Sequence, residues 1–451
     1  NAREAIVVLA GFLRDYPYHS EGESFSIADP NEVWILELIG KRQGTVKADL
    51  AKKLKYKYTD GGVWVARRIP DGYVSGHANQ ARITQFPQEG KFKKAKGKGL
   101  HAAISSLHLD YIYEPEVECV YSADVITYAR ACGWYDGKDA DFSFCDTYAP
   151  LTFSGLRGCD ARVYAMFNRV ATGMQRYEKY AMGDANAERL PLWVKPDRQV
   201  SLHEVMNLMR DHYEGTKMDM TQDIGAGGEG CPYRWRPMFF EVDGVEYCNE
   251  RATATQQTGF WLVGQARPNK VGILWFGTDD AATSPLTPIY VNSTEVPWCL
   301  SEENGSMLKY SDSSMFWITN RVAQFAYLRY NTVGKHVRSE VDKWENAMIE
   351  YVKDIDMAIA NVAYKPKKAA KIATEFSVKS AEILFNYWVE LDKYLMVKYI
   401  DGNVKGEDAN GFIDNGNGKD IPGKIEQPGY SERWKRAVAK DNGEVLKVVK
   451  W

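Results

Sequence analysis

The stretch SFSIADPNEVWILELI, residues 24–39, decides how the fold begins. Its two ends, residues 24–28 and 33–39, are strand-like runs rich in apolar and β-branched side chains. Between them, Asp29, Pro30 and Asn31 form a sequence that is typical of a tight turn. The pattern therefore predicts a β-hairpin.

Further strand and helix patterns lie on the C-terminal side of this hairpin. A second pair of runs, residues 62–69 and 73–78, is joined by Pro70-Asp71-Gly72 and predicts another hairpin, so that four strands form an antiparallel sheet. Strands of a second sheet are predicted at residues 238–242, 258–265 and 271–276. Helices are predicted at residues 161–171, 202–213, 313–330, 337–363, 368–399 and 432–439.

The order of these elements is helix, sheet, helices, sheet and long helices. Two antiparallel sheets stacked face to face, with helices outside, would accommodate this order, and the pattern alone leaves other architectures open. Residues 2–16 have the apolar spacing of a helix, with neither a starting methionine nor a cap before it. We therefore expect that further residues precede Asn1.

Composition excludes several classes of protein. The 451 residues are 45% hydrophobic and 26% charged, with a net charge of −3, which fits a globular protein with one enlarged domain or two. This balance does not require a nucleic acid or an anionic membrane as partner. No apolar run is long enough to predict a membrane span. Two basic stretches, residues 41–60 and 91–98, are therefore interpreted as solvated loops.

Common catalytic motifs do not appear in the chain. The seven cysteines include no CxxC pair, which argues against zinc, and buried free thiols are the better interpretation, with one or two disulfides left open. Neither GxSxG nor HExxH occurs. The glycine-rich run at residues 225–230 lacks the Lys and Ser/Thr of a phosphate loop, so we interpret it as a loop that needs positive φ. On residue patterns alone, the chain is a large α+β protein and an enzyme.

Several longer motifs carry a specific resemblance. In order and spacing, they resemble the cysteine-type N-terminal-nucleophile dipeptidases typified by the lactobacillal dipeptidase A, to which the secernins are related. This family is best represented in bacteria, and the resemblance extends over nearly the whole chain. The matching stretches lie at residues 22–34, 63–83 (VWVARRIPDGYVSGHANQARI), 121–125, 219–225 (DMTQDIG), 232–237 (PYRWRP), 250–254 (ERATA) and 265–268.

The resemblance implies both a fold and a reaction. The fold is α+β, a four-layer αββα sandwich of the N-terminal-nucleophile hydrolases, with residues 1–310 as the peptidase core and residues 311–451 as a long helical region. Removal of a propeptide exposes a cysteine whose thiol attacks the peptide carbonyl while its own α-amine accepts the proton. Small peptides would be the substrates, without a metal or an organic cofactor. Propeptide removal also favours a secreted or periplasmic location.

This sequence departs from the family pattern at the nucleophile. Its first residue is Asn1, and none of its seven cysteines stands in a matching position. We therefore expect the catalytic cysteine on a preceding segment or on a companion N-terminal fragment. An amide acylase on the same fold and a non-catalytic, secernin-like interaction protein stay open as alternatives, as does a homo-oligomer.

The resemblance also implies four site residues. Asn79 would donate its amide to the oxyanion hole and Arg251, at the start of a strand of the second sheet, would hold the cysteine or the substrate carboxylate. Asp29 would bind the substrate ammonium, and His77, beside Asn79, would contact the substrate. Each has an ordinary alternative: a turn-capping asparagine, a surface ion pair, a turn aspartate and a packed or hydrogen-bonded histidine.

Overall fold

The computed structural model describes residues 1–90 and 101–450. Within them, the chain forms two compact units, Asn1–Val200 and Ser201–Trp451. The basic stretch at residues 91–98, interpreted as a solvated loop, lies outside the described residues. None of the described helices is both long and apolar enough to cross a membrane.

The first unit combines short helices with a mainly antiparallel sheet. Its helices are α1 (Ala2–Asp15), α2 (Ala48–Leu54), α3 (Val125–Cys132), α4 (Phe144–Tyr148), α5 (Ala161–Val170) and α6 (Glu178–Ala181). Its strands are β1 (Gly22–Ala28), β2 (Val33–Gly40), β3 (Gly62–Ile69), β4 (Val74–Ser75), β5 (Ala103–Ser105), β6 (Cys119–Tyr121) and β7 (Trp193–Val194).

The first predicted hairpin is confirmed. Strands β1 and β2 pair antiparallel, with Ala28 opposite Val33, and the N–H of Asp29 closes the turn by donating to the Glu32 carbonyl at 3.0 Å. These strands form one side of a five-stranded sheet with the order β1-β2-β3-β6-β5, in which only the β5–β6 pair among the described strands is parallel. Local turn chemistry therefore sets the start of this sheet.

The second predicted hairpin is wrong. Strand β3 pairs with β2 along one edge and with β6 along the other, whereas β4 pairs with β7 in a separate two-stranded ribbon. Since both edges of β3 are occupied, the chain after Pro70-Asp71-Gly72 cannot fold back onto it. The chain leaves the five-stranded sheet at this turn, forms β4 of the ribbon and then reaches Asn79.

Both faces of β2, in the five-stranded sheet, are buried. Trp34, Leu36 and Leu38 of β2 pack in the same cluster as Ile6 of α1. The alternate residue Ile35 packs in a second cluster, which includes side chains of α3 and α4. Burial on both faces explains why β2 is a nearly continuous apolar run rather than an alternating one.

Helix α1 begins with a cap that we did not expect from the sequence. The Asn1 side chain accepts a hydrogen bond from the Glu4 N–H at 2.9 Å, and the Glu4 carboxylate accepts one from the Asn1 amine at 2.6 Å. The expectation that no cap precedes this helix is therefore wrong. A short asparagine side chain can satisfy a first-turn N–H, and a glutamate three residues later completes the capping box.

The second unit contains the long helices. They are α7 (Leu202–Leu208), α8 (Met315–Leu328), α9 (Lys335–Ala360), α10 (Pro366–Tyr399) and α11 (Glu432–Leu446). Its strands are β8 (Phe239–Val242), β9 (Val245–Cys248), β10 (Phe260–Gln265), β11 (Ile273–Thr278), β12 (Thr287–Tyr290), β13 (Val404–Lys405), β14 (Glu407–Asp408), β15 (Gly411–Phe412) and β16 (Ile425–Glu426). The predicted helices near residues 313–330, 337–363 and 368–399 correspond to α8, α9 and α10.

The main sheet of the second unit is an antiparallel meander in the order β10-β11-β12. Strand β8 pairs instead with β9, so the predicted strand at residues 238–242 belongs to a separate hairpin. Asp243 and Gly244 both have positive φ, which favours this tight local turn. Fully buried Trp275 and Trp388 place the core of the unit between this sheet and the long helices.

Each unit thus combines a sheet with helices. The four-layer αββα arrangement, which would stack two sheets, stays a prediction. The division into a peptidase core at residues 1–310 and a helical region at residues 311–451 also stays a prediction.

Candidate active site

Residues 78–80 form a bend after β4, in which Asn79 is exposed while Ala78 is half-buried and Gln80 is buried. Asn79 has a φ of 61°, in the left-handed region that asparagine tolerates better than most residues. Its Oδ1 accepts a hydrogen bond at 2.8 Å from Nη2 of Arg162, on α5. The predicted strand over residues 73–78 is shorter in the structure, so that Asn79 lies four residues after the end of β4. Its role in an oxyanion hole stays a prediction.

Arg82 fixes the base of this bend. It is 5% exposed, and its Nη1 donates to the Gly76 carbonyl at 2.6 Å while Nη2 donates to the Pro191 carbonyl at 2.6 Å. Its Nε lies 3.3 Å from Oδ1 of Asp160, which is 2% exposed. Because Gly76 follows β4 and Pro191 precedes β7, one guanidinium joins both strands of the ribbon.

The side chain of Glu37 holds the backbone of Arg82. The carboxylate is 1% exposed and accepts the N–H of Arg82 at 2.8 Å and the N–H of Ile83 at 2.9 Å. Burial raises the pKa of Glu37 to about 7, although these two hydrogen bonds lower it. We refer to Glu37, Arg82 and Asp160 as the Arg82 cluster.

Sequence reasoning missed the Arg82 cluster. One signal was present, since Glu37 is the single charged residue in the apolar run of residues 33–39. A charge in a strand with both faces buried requires polar partners, so this glutamate could have been marked as the centre of a buried network.

His77 immediately precedes the bend, two residues before Asn79. Its Nε2 is 3.0 Å from Oγ of Ser26, on β1. Burial lowers the pKa of His77, and the positive charge of Arg82 lowers it further, while Glu23 opposes the shift. A neutral histidine at neutral pH follows from this environment. The hydrogen-bonded side chain fits the ordinary interpretation, and contact with the substrate stays a prediction.

Asp29 uses its carboxylate within the fold. Oδ1 accepts the N–H groups of Asn31 and Glu32 at 2.8 and 3.1 Å, and Oδ2 accepts the N–H of Ala2 at 2.9 Å. Burial opposes ionisation, but these hydrogen bonds outweigh it and lower the pKa of Asp29. The contacts are those of a turn aspartate that also ties α1 to the hairpin, and substrate binding stays a prediction.

Arg251 lies in the second unit, between β9 and β10 and outside both strands. The prediction that it begins a strand is therefore wrong. The N–H of Ala254 donates to the Asp211 carbonyl at 3.2 Å, which joins this segment to the loop after α7 instead of to a sheet. The hydroxyl of Tyr213 donates to the Arg251 carbonyl at 2.6 Å.

The loop that supports Arg251 is itself buried and well connected. Tyr213 is 0% exposed, has a φ of 65° and donates its N–H to Oδ1 of Asp211 at 2.7 Å. Nδ1 of the adjacent His212 lies 3.1 Å from Oε1 of Glu214. The Arg251 backbone is therefore attached to a rigid element, as precise side-chain placement requires.

Two of the motifs in the second unit that carried the resemblance contact each other. Arg234, in the PYRWRP stretch, pairs with Asp223 of the DMTQDIG stretch at 2.6 Å, and its carbonyl accepts from Nε2 of Gln256 at 2.8 Å. Gly227 and Gly230, in the loop between these motifs, both have positive φ. The interpretation of the glycine-rich run as a loop that needs positive φ is thus confirmed at these two residues.

All seven cysteines are free, and four of them are buried. Burial raises the pKa of Cys119, Cys145 and Cys299 to about 12. Such thiols stay protonated near neutral pH, whereas the thiolate is the nucleophilic form. This agrees with the interpretation that free thiols fill the core.

Comparison with known proteins gives the family. The profile of "Peptidase family C69" matches residues 1–343. "Probable dipeptidase A" from Streptococcus pyogenes serotype M3 (strain SSI-1) is 22% identical over 347 residues, which cover 76% of this chain and 58% of that protein. "Probable dipeptidase B" from Streptococcus pyogenes serotype M1 is 20% identical over 415 residues, with coverages of 90% and 69%.

A third relative, "Probable dipeptidase" from Latilactobacillus sakei, is 20% identical over 395 residues, which cover 85% of this chain and 67% of the relative. The match to dipeptidase A spans 58% of the length of that relative. Since the family profile covers well over half of the 451 residues, the chain belongs to peptidase family C69, and the resemblance seen in its motifs is confirmed.

Proposed function

We propose that this protein is a cysteine-type dipeptidase that hydrolyses the peptide bond of dipeptides and other short peptides. The observation that carries the proposal is the family match over residues 1–343, a range that includes Asn79, Arg251 and all seven cysteines. The names of the relatives, which describe dipeptidases, support it.

The proposed nucleophile is a cysteine at the mature N-terminus, supplied by polypeptide outside these 451 residues. The raised pKa values of Cys119, Cys145 and Cys299 argue against these three thiols as the nucleophile, because a thiol with a pKa of about 12 is a poor source of thiolate. An α-amine has an ordinary pKa near ~8, so a useful fraction is neutral and can accept the thiol proton.

The reaction then proceeds in two balanced halves. The sulfur attacks the carbonyl carbon as its proton passes to the α-amine, and collapse of the tetrahedral intermediate breaks the C–N bond while the ammonium returns that proton to the leaving amine. Water, deprotonated by the same amine, attacks the thioester and releases the carboxylic acid, and the proton is returned to the thiolate sulfur. Both intermediates place negative charge on the former carbonyl oxygen, which requires a fixed donor.

Asn79 is proposed as one such donor, because it is an exposed residue on a bend with a fixed base. Arg251 is proposed to contact the C-terminal carboxylate of the dipeptide, for which a guanidinium fork is well suited. Asp29 is kept as the proposed partner of the substrate ammonium. A carboxylate has about four acceptor positions, and Asp29 uses three of them on backbone amides.

The proposal is tested with the full-length protein and three sets of substrates: unmodified dipeptides, the same dipeptides with an acetylated N-terminus, and acylated amines. We expect release of free amino acids from unmodified dipeptides, weaker turnover of the acetylated forms, and loss of activity after thiol alkylation with iodoacetamide. Turnover of acylated amines alone would indicate an acylase. Dipeptide binding by calorimetry without turnover would indicate an interaction protein, and either result would contradict the proposal.

A further inference from the structure

The side-chain amide of Asn79 has a defined orientation. Its Oδ1 accepts a hydrogen bond at 2.8 Å from Nη2 of Arg162. A guanidinium carries only donors, so the end of the amide that faces it has to be the oxygen. The NH₂ group, with two donors, lies at the opposite end of the planar amide and points away from Arg162. Asn79 is exposed, so this end is accessible from outside.

Arg162 is itself held in place by two carbonyl groups. Its Nε donates to the Gly158 carbonyl at 3.1 Å, and its Nη2 also donates to the Ala78 carbonyl at 3.2 Å. The side chain therefore connects the π-helical turn Gly155–Asp160 to the bend that carries Asn79. A guanidinium with several fixed acceptors loses little further freedom when it also binds the amide oxygen.

The bend is fixed from a second direction by the Arg82 cluster. Arg82 binds the Gly76 carbonyl and pairs with Asp160, which ends the π-helical turn. Asp160 and Arg162 are two residues apart, so one helical junction holds both the base of the bend and the amide at its tip. A position supported in this way is suited to a fixed donor, because a loosely held amide would have to reorganise in each catalytic cycle.

We propose that Arg162 is a positioning residue that sets the Asn79 amide with its NH₂ group outward, ready to donate to the oxyanion. The inference rests on the proposed function. Rotation of the amide by half a turn would present its oxygen to the developing negative charge, which would repel it. Arg162 prevents this rotation by binding the oxygen, and it does not contact the substrate.

A double-mutant cycle on the full-length protein tests the proposal, with kcat and KM measured on an unmodified dipeptide. We expect Asn79→Ala to lower kcat by about 100-fold or more with little change in KM. Arg162→Ala is expected to lower kcat by about 10-fold, because the donor is still present but no longer fixed. In the Asn79→Ala background, Arg162→Ala should cause no further loss, since no amide is left to orient.

Two further variants separate positioning from folding. Arg162→Lys keeps the charge but replaces the planar guanidinium fork with a single ammonium nitrogen, so kcat should lie between those of wild type and Arg162→Ala. Arg169→Ala removes an exposed arginine from the same helix, about two turns away, and should leave kcat unchanged. Thermal unfolding identifies any variant that loses the fold, and if Arg162→Ala does so, the lysine variant and its double mutant with Asn79→Ala replace it.

The outcomes are distinguishable. If Arg162→Ala lowers kcat equally with and without Asn79, or does not lower it at all, the positioning role is wrong while the proposed function stands. If Asn79→Ala leaves kcat unchanged, the oxyanion role of Asn79 and the role of Arg162 are both wrong. If the wild-type protein does not hydrolyse dipeptides, the proposed function fails, and this inference fails with it.

Discussion

The segment that carries Asn79 and the segment that carries Arg251 are attached to their units by different kinds of contact. Charged groups that are almost fully buried hold the first, through the Arg82 cluster. Neutral contacts hold the Arg251 backbone, through the Tyr213 hydroxyl and the N–H of Ala254. Buried charges are costly to leave unpaired, whereas a neutral hydrogen bond contributes little net stability. The two segments should therefore differ in their sensitivity to mutation and to pH.

The largest effect is expected when the ion pair under the Asn79 bend is broken. Arg82→Ala leaves Asp160 buried without its cation and removes the donors to Gly76 and Pro191. We expect the free energy of unfolding to fall by about 3–5 kcal/mol, measured by urea denaturation. Arg14→Ala, an exposed arginine on α1, is the control and should change it by less than about 0.5 kcal/mol. Equal effects of the two substitutions would contradict the assigned role of the cluster.

The pH dependence of stability should also reveal the buried Glu37. A carboxyl group whose pKa is higher in the folded than in the unfolded protein binds its proton more tightly when folded, so its contribution to stability is lost as the pH rises. For Glu37 this loss runs from pH about 4.5 to about 7.

Glu37→Gln removes this titration. As the pH rises through that range, the free energy of unfolding of wild type should fall by up to about 3 kcal/mol relative to that of the glutamine variant. Denaturant unfolding at a series of pH values measures this difference. Glu390→Gln makes the same substitution at an exposed position on α10 and is the matched control. If the unfolding free energies of Glu37→Gln and of wild type change with pH in parallel, Glu37 does not titrate as described.

The smallest effect is expected in the Arg251 segment. Tyr213→Phe leaves the Arg251 carbonyl without its hydroxyl donor and should lower the free energy of unfolding by about 1 kcal/mol. If Arg251 holds the substrate carboxylate, KM for dipeptides should rise more than kcat falls. Tyr16→Phe, at an exposed tyrosine, is the control for stability. A loss as large as that of Arg82→Ala would remove the contrast between the two segments.

The sequence predicted those parts of the fold that depend on local chemistry. Asp29, Pro30 and Asn31 specify a turn among near neighbours, so the first hairpin was predicted correctly. The second hairpin was predicted wrongly because β3 pairs with β6, more than fifty residues later, and no local pattern reports such a pairing. The cap on α1 was overlooked although Asn1 and Glu4 have the spacing of a capping box.

The candidate site was predicted only in part, as the fold was. Its exposed residue, Asn79, was found through a motif, but the partners that hold the bend come from distant parts of the chain. Arg162 lies 83 positions from Asn79, and Asp160 is almost as far from Arg82. Contacts of this kind depend on tertiary packing and leave no periodic signal in a single sequence. Only the lone charge of Glu37 in its apolar strand gave a warning.

The central claim is that a fixed amide donor at Asn79 stabilises the oxyanion during dipeptide hydrolysis. The most direct test is the kcat of Asn79→Asp on an unmodified dipeptide, because this substitution keeps the shape of the side chain and an acceptor for Arg162 but removes the NH₂ donor. We predict a fall in kcat of about 100- to 1000-fold with KM little changed. A kcat equal to that of the wild-type protein would contradict it.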